Sequence, residues 1–158
     1  MRPACLWQRI FSRGSWLASP RFRDTGRFVP GQAPTKTYTP ANLADLMQCF
    51  DPANKVPTPI RVRGSGSAST DCNNCTAGTI VDTTGLDRIV GIDSYNHTVT
   101  VQAGVRLGSL VAALGELGLE LVGNHDQMQR TVGGAIASPC MGPGIGNQAA
   151  FLSTQVVS

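Results

Sequence analysis

Hydrophobic residues recur every three or four positions in two parts of the chain, a spacing that is typical of helices with one buried face. The first set is Leu43, Leu46, Met47 and Phe50. For this helix the sequence predicts Thr39 as N-cap and Pro40 as first helical residue, with the end at Asp51 and Pro52. The second set is Leu107, Leu110, Val111, Leu114 and Leu117. Gly118 is predicted to end the second helix.

Short runs of β-branched and apolar residues, bounded by glycine, proline or asparagine, predict strands. These runs are residues 59–63, 79–82, 88–93, 98–103 and 119–122. Residues 94–97 separate the third run from the fourth and include Asn96, a favoured turn residue, so these two strands are expected to form a hairpin. Residues 155–157 are predicted to begin a further strand. The order α-β-loop-β-β-β-α-β, followed by a Gly-rich turn, indicates an α+β fold without an internal repeat.

The first 35 residues are rich in arginine, proline, glycine and serine and show no regular period. We interpret them as an extended arm that contains a short helix near residues 5–11. Their Arg/Ser-rich, acid-poor composition also resembles a mitochondrial presequence. A mitochondrial location is therefore the alternative to the cytoplasmic location that we expect.

Composition excludes several classes of protein. With 158 residues, of which 41% are hydrophobic and 15% charged, the chain is typical of a globular domain and not of a disordered segment. The net charge is +3, but lysine and arginine cluster only in the N-terminal arm, so no nucleic-acid partner is expected. The sequence contains no apolar run of about 18 residues, and an integral membrane segment is therefore not predicted.

Cysteine and histidine residues do not form a recognisable metal site or catalytic pattern. The cysteines are Cys5, Cys49, Cys72, Cys75 and Cys140. Cys72 and Cys75 form a CxxC pair, but one pair cannot complete a tetrahedral zinc site, and the asparagines between them favour a loop. His97 in the predicted hairpin turn and His125 beside Asp126 have no partners at ligand spacing. The sequence therefore predicts no metal, and no Ser-His-Asp or paired-carboxylate site is recognised.

Residues 64–70, the Gly/Ser loop, form the first candidate binding site. Gly64 and Gly66 allow the backbone to turn sharply and to approach a ligand closely. Successive N–H groups in such a turn bind anions, and the hydroxyls of the loop add donors. No acid lies between Arg63 and Asp71 to repel a phosphate. The alternative interpretation is a flexible loop that follows a strand.

Two familiar phosphate-binding motifs do not match the Gly/Ser loop. A Walker P-loop requires a lysine, and none lies nearby. A Rossmann fingerprint requires a third small residue and a helix that opens at the loop. Ser69 occupies the third position here, and the residues that follow are poor helix formers. An anion site at this loop is therefore built by the loop itself.

Residues 131–138, the small-residue segment, form the second candidate, which continues to Gly142 and Gly144. Small side chains allow a flat ligand to lie against the backbone, although a tight packing corner would use the same residues. The two candidates are about 65 residues apart and both are uncharged. Together they could hold a long, flat, dianionic cofactor.

Four motifs, taken in their order and spacing, resemble the FAD-binding domain of the vanillyl-alcohol oxidase / p-cresol methylhydroxylase superfamily. Within it, the sequence is most similar to sugar-lactone oxidases of the gulonolactone and arabinonolactone type. The motifs are residues 61–69, 98–107, 131–138 and 152–157. The resemblance implies that residues 36–158 are a two-subdomain α+β FAD-binding domain of this type. It also implies that the C-terminal part and the substrate-binding cap of the family are missing here, and with them the catalytic residues.

The resemblance further implies the cofactor contacts. The residues expected at the pyrophosphate are Arg63, Gly64, Ser65, Gly66, Ser67, Ala68 and Ser69. Those expected to flank the pyrophosphate and isoalloxazine are Thr131, Val132, Gly133, Gly134, Ala137, Ser138 and Gly142. Members of the family oxidise an alcohol, lactol or lactone by hydride transfer to FAD, and O₂ or another acceptor re-oxidises the flavin.

Two positions depart from the family pattern. Ser67 stands where many relatives carry a histidine that links covalently to the flavin, which implies non-covalent FAD. Met141 and Gly142 stand where the lactone oxidases have His-Gly. The sequence therefore does not decide whether the small-molecule substrate is an alcohol, a lactol or a lactone. These departures also motivate the alternative hypothesis, a non-catalytic flavin-fold remnant or interaction module. The oligomeric state and the electron acceptor are not defined by the sequence.

Overall fold

The computed structural model of the protein describes residues 33–68, 70–122, 127–138 and 152–157. The predicted helix near residues 5–11, nearly all of the predicted N-terminal arm and the Gly/Pro-rich loop at 139–146 lie outside these ranges. So do His125, Ser69, Cys140, Met141 and Gly142.

Three parallel strands form the first sheet, in the order β1-β3-β2. They are β1 (Lys36–Tyr38), β2 (Ile60–Arg63) and β3 (Thr79–Asp82). Strand β3 lies in the middle and buries Thr79, Ile80 and Val81, as expected of a strand with a neighbour on both sides. The β2 and β3 predictions are confirmed, apart from the first residue of β2. Strand β1 was not predicted, since a three-residue polar strand at a sheet edge has no hydrophobic pattern to detect.

Helix α1 (Leu43–Gln48) forms within the predicted span, but it ends before Asp51, buries none of its residues, and has Asn42 and not Thr39 as its N-cap. The Asn42 side chain accepts a hydrogen bond from the Asp45 amide at 2.9 Å. The Asp45 carboxylate in turn accepts from the Ala41 amide at 3.1 Å, so two amides at the helix start are satisfied reciprocally. Because Asn42 and Asp45 cap the helix, it begins at Leu43 and not at Pro40.

Strands β4 (Ile89–Asp93) and β5 (Thr98–Val101) form the predicted antiparallel hairpin. The Asp93 carboxylate accepts hydrogen bonds from the amides of Tyr95 and Asn96, each at 3.0 Å, and closes the turn. The left-handed position of the turn is taken by His97, with φ of 53°, and not by Asn96. His97 is exposed there, and its place in the turn explains its position without a ligand.

Helix α2 (Leu107–Gly115) confirms the second apolar pattern and buries Leu107, Leu110 and Leu114. The chain leaves the helix through Gly118, which has φ of 69°. The amide of Leu119 donates to the Leu114 carbonyl at 3.0 Å, as in a Schellman motif. A short third helix, α3 (Val132–Ala137), follows and occupies most of the small-residue segment.

Two strand predictions are wrong. Residues 119–122 are not a strand, because the chain leaves the Schellman turn without a neighbouring strand among the described residues. Residues 152–155 form a 3-10 helix where the sequence predicts that a strand begins at 155. The Gln155 side chain donates to the Val122 carbonyl and thereby links these two segments. Short apolar runs do not distinguish a strand from an irregular buried segment.

One hydrophobic core joins the hairpin, α2, α3 and the 3-10 helix. Its buried residues are Val105, Leu107, Leu110, Leu114, Val132, Ala135 and Leu152. The inward side chains of the hairpin, including Ile92 and Val99, pack against this core. The described architecture is therefore the mixed α+β arrangement that the sequence predicts. None of the helices within the described ranges is long and apolar enough to cross a bilayer.

Candidate functional site

The Gly/Ser loop leaves the carboxyl end of β2, directly beside the carboxyl end of β3. Arg63 and Asp82 are paired in register at these two strand ends. The Thr83 hydroxyl donates to the Arg63 carbonyl at 3.1 Å and thereby holds the first residues of the loop against the turn after β3. Ligands of open parallel sheets bind in the crevice outside the carboxyl ends of the strands, which is where this loop lies.

The conformation of the loop depends on Gly66, which is buried and has φ of 72°. Only glycine adopts this left-handed conformation without a steric cost. The hydroxyls of Ser65 and Ser67 lie 3.2 Å apart, within hydrogen-bonding distance. Within the described ranges, no backbone carbonyl accepts from the amides of these two serines. The loop therefore presents amide and hydroxyl donors, which is the chemistry that an anion requires.

Helix α3 begins with Thr131, which is only 1% exposed and whose hydroxyl accepts from the Gly134 amide at 3.3 Å. The next two amides are also used inside the protein. Val132 donates to the Val105 carbonyl at 2.8 Å, and Gly133 donates to the Ala103 carbonyl at 2.9 Å. The first amides of α3 are thus satisfied, and a ligand would meet the small side chains of this helix and not its N-terminal donors.

The structure brings the two candidate segments into direct contact. A Cβ atom built on Gly64 would lie 2.1 Å from the Thr131 hydroxyl oxygen, so the backbone of the loop touches the first residue of the small-residue segment. A Cβ on Gly133, in α3, would lie 2.9 Å from the Cβ of Ala103. Glycine is required at both contacts because the neighbouring chain occupies the space of a side chain.

The turn at residues 103–105 was not predicted to have a role in the site, yet it contacts both halves of the candidate site. A Cβ on Gly104 would lie 1.9 Å from the Thr83 carbonyl oxygen and 2.7 Å from that of Leu86. The flanking carbonyls accept the first amides of α3. In the sequence, this turn is marked only by Gly104, which directly follows the predicted strand at residues 98–103. The long-range contacts of the turn cannot be inferred from that glycine alone.

Charge at the base of the loop is balanced. The guanidinium of Arg63 lies 3.1 Å from the Asp82 carboxylate, and both side chains are largely buried. The other carboxylate oxygen of Asp82 accepts from the Thr84 amide at 3.0 Å and from its hydroxyl at 2.6 Å. Burial raises the pKa of the Asp82 carboxyl, but the bonds from Thr84 and Arg63 together outweigh burial and hold the pKa below its usual value.

Because its pKa is lowered on folding, Asp82 stabilises the protein at neutral pH and loses this contribution as the pH falls below about 4. Substitution of Asp82 by asparagine should lower the free energy of unfolding by about 1–3 kcal/mol at pH 7. The difference from the unsubstituted protein should shrink at pH 3. Urea unfolding of both proteins at the two pH values tests this, and an equal difference at both would contradict it.

Among the described residues, the cysteines and His97 do not assemble a second site. Cys72 is exposed and Cys75 is buried, and both thiols are free. Across the ranges that the structure describes, no three histidine, cysteine or acidic residues lie close enough to hold a metal ion. The fit to a cofactor therefore rests on the Gly/Ser loop, α3 and the turn at 103–105. These elements offer uncharged donors and compensated charge, as an anionic dinucleotide requires.

Comparison with known proteins agrees with this chemistry. Residues 34–158 match the family model described as an FAD-binding domain. The L-gulono-1,4-lactone dehydrogenase of Mycobacterium tuberculosis is 33% identical over 82% of the chain, and the L-gulonolactone oxidase of Mus musculus is 30% identical over 81%. The chain spans only 30% and 28% of these relatives.

A variant of cholesterol oxidase from Brevibacterium sterolicum is similar in structure, with a TM-score of 0.55 over 66% of the chain and 21% of the oxidase. The two sequences are 21% identical, so this likeness concerns the fold. The likeness agrees with the mixed α+β fold that the sequence predicts.

Proposed function

Since the chain belongs to the family of FAD-binding domains, we propose that it is the FAD-binding part of a flavin-dependent oxidoreductase that oxidises an alcohol, lactol or sugar lactone. The main observation behind this proposal is the contact of Gly64 with Thr131, because it brings two uncharged segments together in one candidate site. The lactone-oxidising relatives favour a sugar lactone as the small-molecule substrate. FAD, when bound, accepts the hydride from the substrate, and O₂ or another acceptor re-oxidises it.

The protein's own residues hold and orient the cofactor in this proposal. Residues 64–69 bind the pyrophosphate through backbone amides and serine hydroxyls, and Gly66 gives the loop its shape. The residues proposed beside the pyrophosphate and the isoalloxazine are Thr131, Val132, Gly133, Gly134, Ala137, Ser138 and Gly142. Thr131 and Val132 are buried, so these two support the surface from behind. Gly64 packs against Thr131 and Gly66 is buried, so this part of the loop needs little ordering when FAD binds.

The FAD is held without a covalent bond. Ser67 is exposed in the Gly/Ser loop. It stands where many members of the family it resembles carry a flavin-linking histidine, and a serine hydroxyl cannot form that link. We further propose that residues 36–158 form the domain and that the protein acts in the cytoplasm. Because the N-terminal segment is rich in arginine, a mitochondrial location is the alternative.

The proposal is tested by adding FAD to the purified protein, removing free flavin by gel filtration and recording the visible absorption. We expect flavin absorption to elute with the protein. On denaturation, all of the flavin should pass into the filtrate, and the protein mass should equal that of the unmodified chain. A protein that is colourless after gel filtration, before denaturation, would favour the non-catalytic remnant. Flavin that stays with the denatured chain would contradict the non-covalent attachment but not the binding of FAD.

A further inference from the structure

An ion pair lies at the base of the Gly/Ser loop. The Arg63 guanidinium and the Asp82 carboxylate are 3.1 Å apart, with 19% and 16% of their side chains exposed. Arg63 is the last residue of β2, and the loop begins with the next residue. Any shift of Arg63 therefore moves the start of the loop.

Asp82 makes further contacts that reach the same place from the other strand. Its side chain caps the 3-10 turn Thr83–Gly85, accepting from the amide and hydroxyl of Thr84. Within that turn, Thr83 donates its hydroxyl to the Arg63 carbonyl at 3.1 Å. The carboxylate thus holds both the side chain of Arg63 and the turn that supports its backbone.

We propose that Asp82 is a positioning residue of the FAD site, and that Arg63 acts as its partner and not as a ligand of the pyrophosphate. This rests on the proposed function. With its charge compensated by Asp82, the guanidinium fixes the loop, and the pyrophosphate is bound by the amides and hydroxyls of the loop. The Arg63–Asp82 ion pair therefore presents no net charge to the cofactor.

The order of affinities among charge variants follows from this arrangement. In Arg63→Met the Asp82 carboxylate is left uncompensated beside an anionic cofactor, and repulsion adds to the lost anchor. In Asp82→Asn the anchor is weakened, but no negative charge is exposed. In the double variant the repulsion is removed again. If Arg63 instead bound the phosphate directly, Asp82→Asn would release it and strengthen binding.

The test is a fluorescence titration of FAD against the unsubstituted protein and these three variants at low and high salt. We expect Arg63→Met to raise the dissociation constant about tenfold or more. Asp82→Asn should raise it by a smaller factor, about threefold. The double variant should recover part of the affinity lost in Arg63→Met, most clearly at low salt.

Recovery that is larger at low than at high salt indicates relief of repulsion between Asp82 and the cofactor, whereas recovery from a general loss of stability would be similar at both salt concentrations. Tighter FAD binding by Asp82→Asn, or a double variant no better than Arg63→Met, would overturn the assignment.

Asp93→Asn is the matched control, since Asp93 also closes a turn through backbone amides but lies in the hairpin, and it should leave the affinity for FAD unchanged. If the unsubstituted protein bound no FAD, the proposed function would fail together with this inference. Should Asp82→Asn not fold, Thr84→Val removes one bond to the same carboxylate, and it too should weaken binding.

Discussion

Substitution of Gly66 by aspartate is expected to raise the dissociation constant for FAD about a thousandfold, because two separate costs add. Gly66 has φ of 72°, a conformation that costs about 1–2 kcal/mol for a residue with a side chain. The new carboxylate would also lie beside the pyrophosphate, and two like charges about 5 Å apart repel by about 3 kcal/mol near a protein surface. Titration of flavin fluorescence measures the loss.

Asparagine at the same position separates these two costs. It has nearly the size of aspartate and tolerates the left-handed conformation comparably, but it carries no charge. Gly66→Asn should therefore weaken FAD binding by about tenfold or less. Equal affinities for the aspartate and asparagine variants would mean that no anion is bound near this residue. Unchanged affinity in both would refute the assignment of the loop to the cofactor.

Substitution of Gly64 by alanine is expected to raise the dissociation constant for FAD about a hundredfold, since it separates the two halves of the site. The added Cβ would meet the Thr131 hydroxyl oxygen at 2.1 Å, and Thr131 is buried and caps α3. Forcing an atom into such a contact costs about 1–3 kcal/mol. Thermal unfolding and flavin titration together measure the loss of stability and of affinity.

A compensating substitution tests the contact itself. Thr131→Ala removes the hydroxyl and methyl groups, which leaves the Thr131 Cβ at 3.2 Å as the nearest side-chain atom of the three that Gly64 faces. The double variant should therefore regain part of the affinity lost in Gly64→Ala. Gly115→Ala is the matched control, because its Cβ would enter open space at the end of α2. A double variant with no recovery would show that the two segments do not touch in this way.

The elements that the sequence determined are those whose signal is local. The leucine spacing of α2 and the alternation in the hairpin each follow from residues that are neighbours along the chain. Both candidate segments were also recognised locally, since glycine, serine and the absence of charge are visible without the fold. The resemblance to a family of flavoenzymes then joined them into one site, and the match of residues 34–158 to an FAD-binding domain agrees with it.

Local signals failed where a neighbour distant in sequence decides the structure. Residues 119–122 are apolar enough for a strand but follow the Schellman turn at Gly118, with no pairing partner in the described ranges. Strand β1 is polar and forms because β3 offers it a parallel edge. The N-cap of α1 is a different case, because the bond between Asn42 and Asp45 is local, and the prediction of Thr39 overlooked it.

Thus the sequence by itself determined the fold class, most of the helices and strands, and the residue types of a cofactor site, because these depend on periodicity and on side-chain chemistry. Only the tertiary structure decided that Gly64 touches Thr131, that Gly104 packs on the turn after β3, and that Asp82 pairs with Arg63. These contacts join residues that are far apart along the chain or on adjacent strands, and their geometry arises from packing. No spacing within the sequence specifies it.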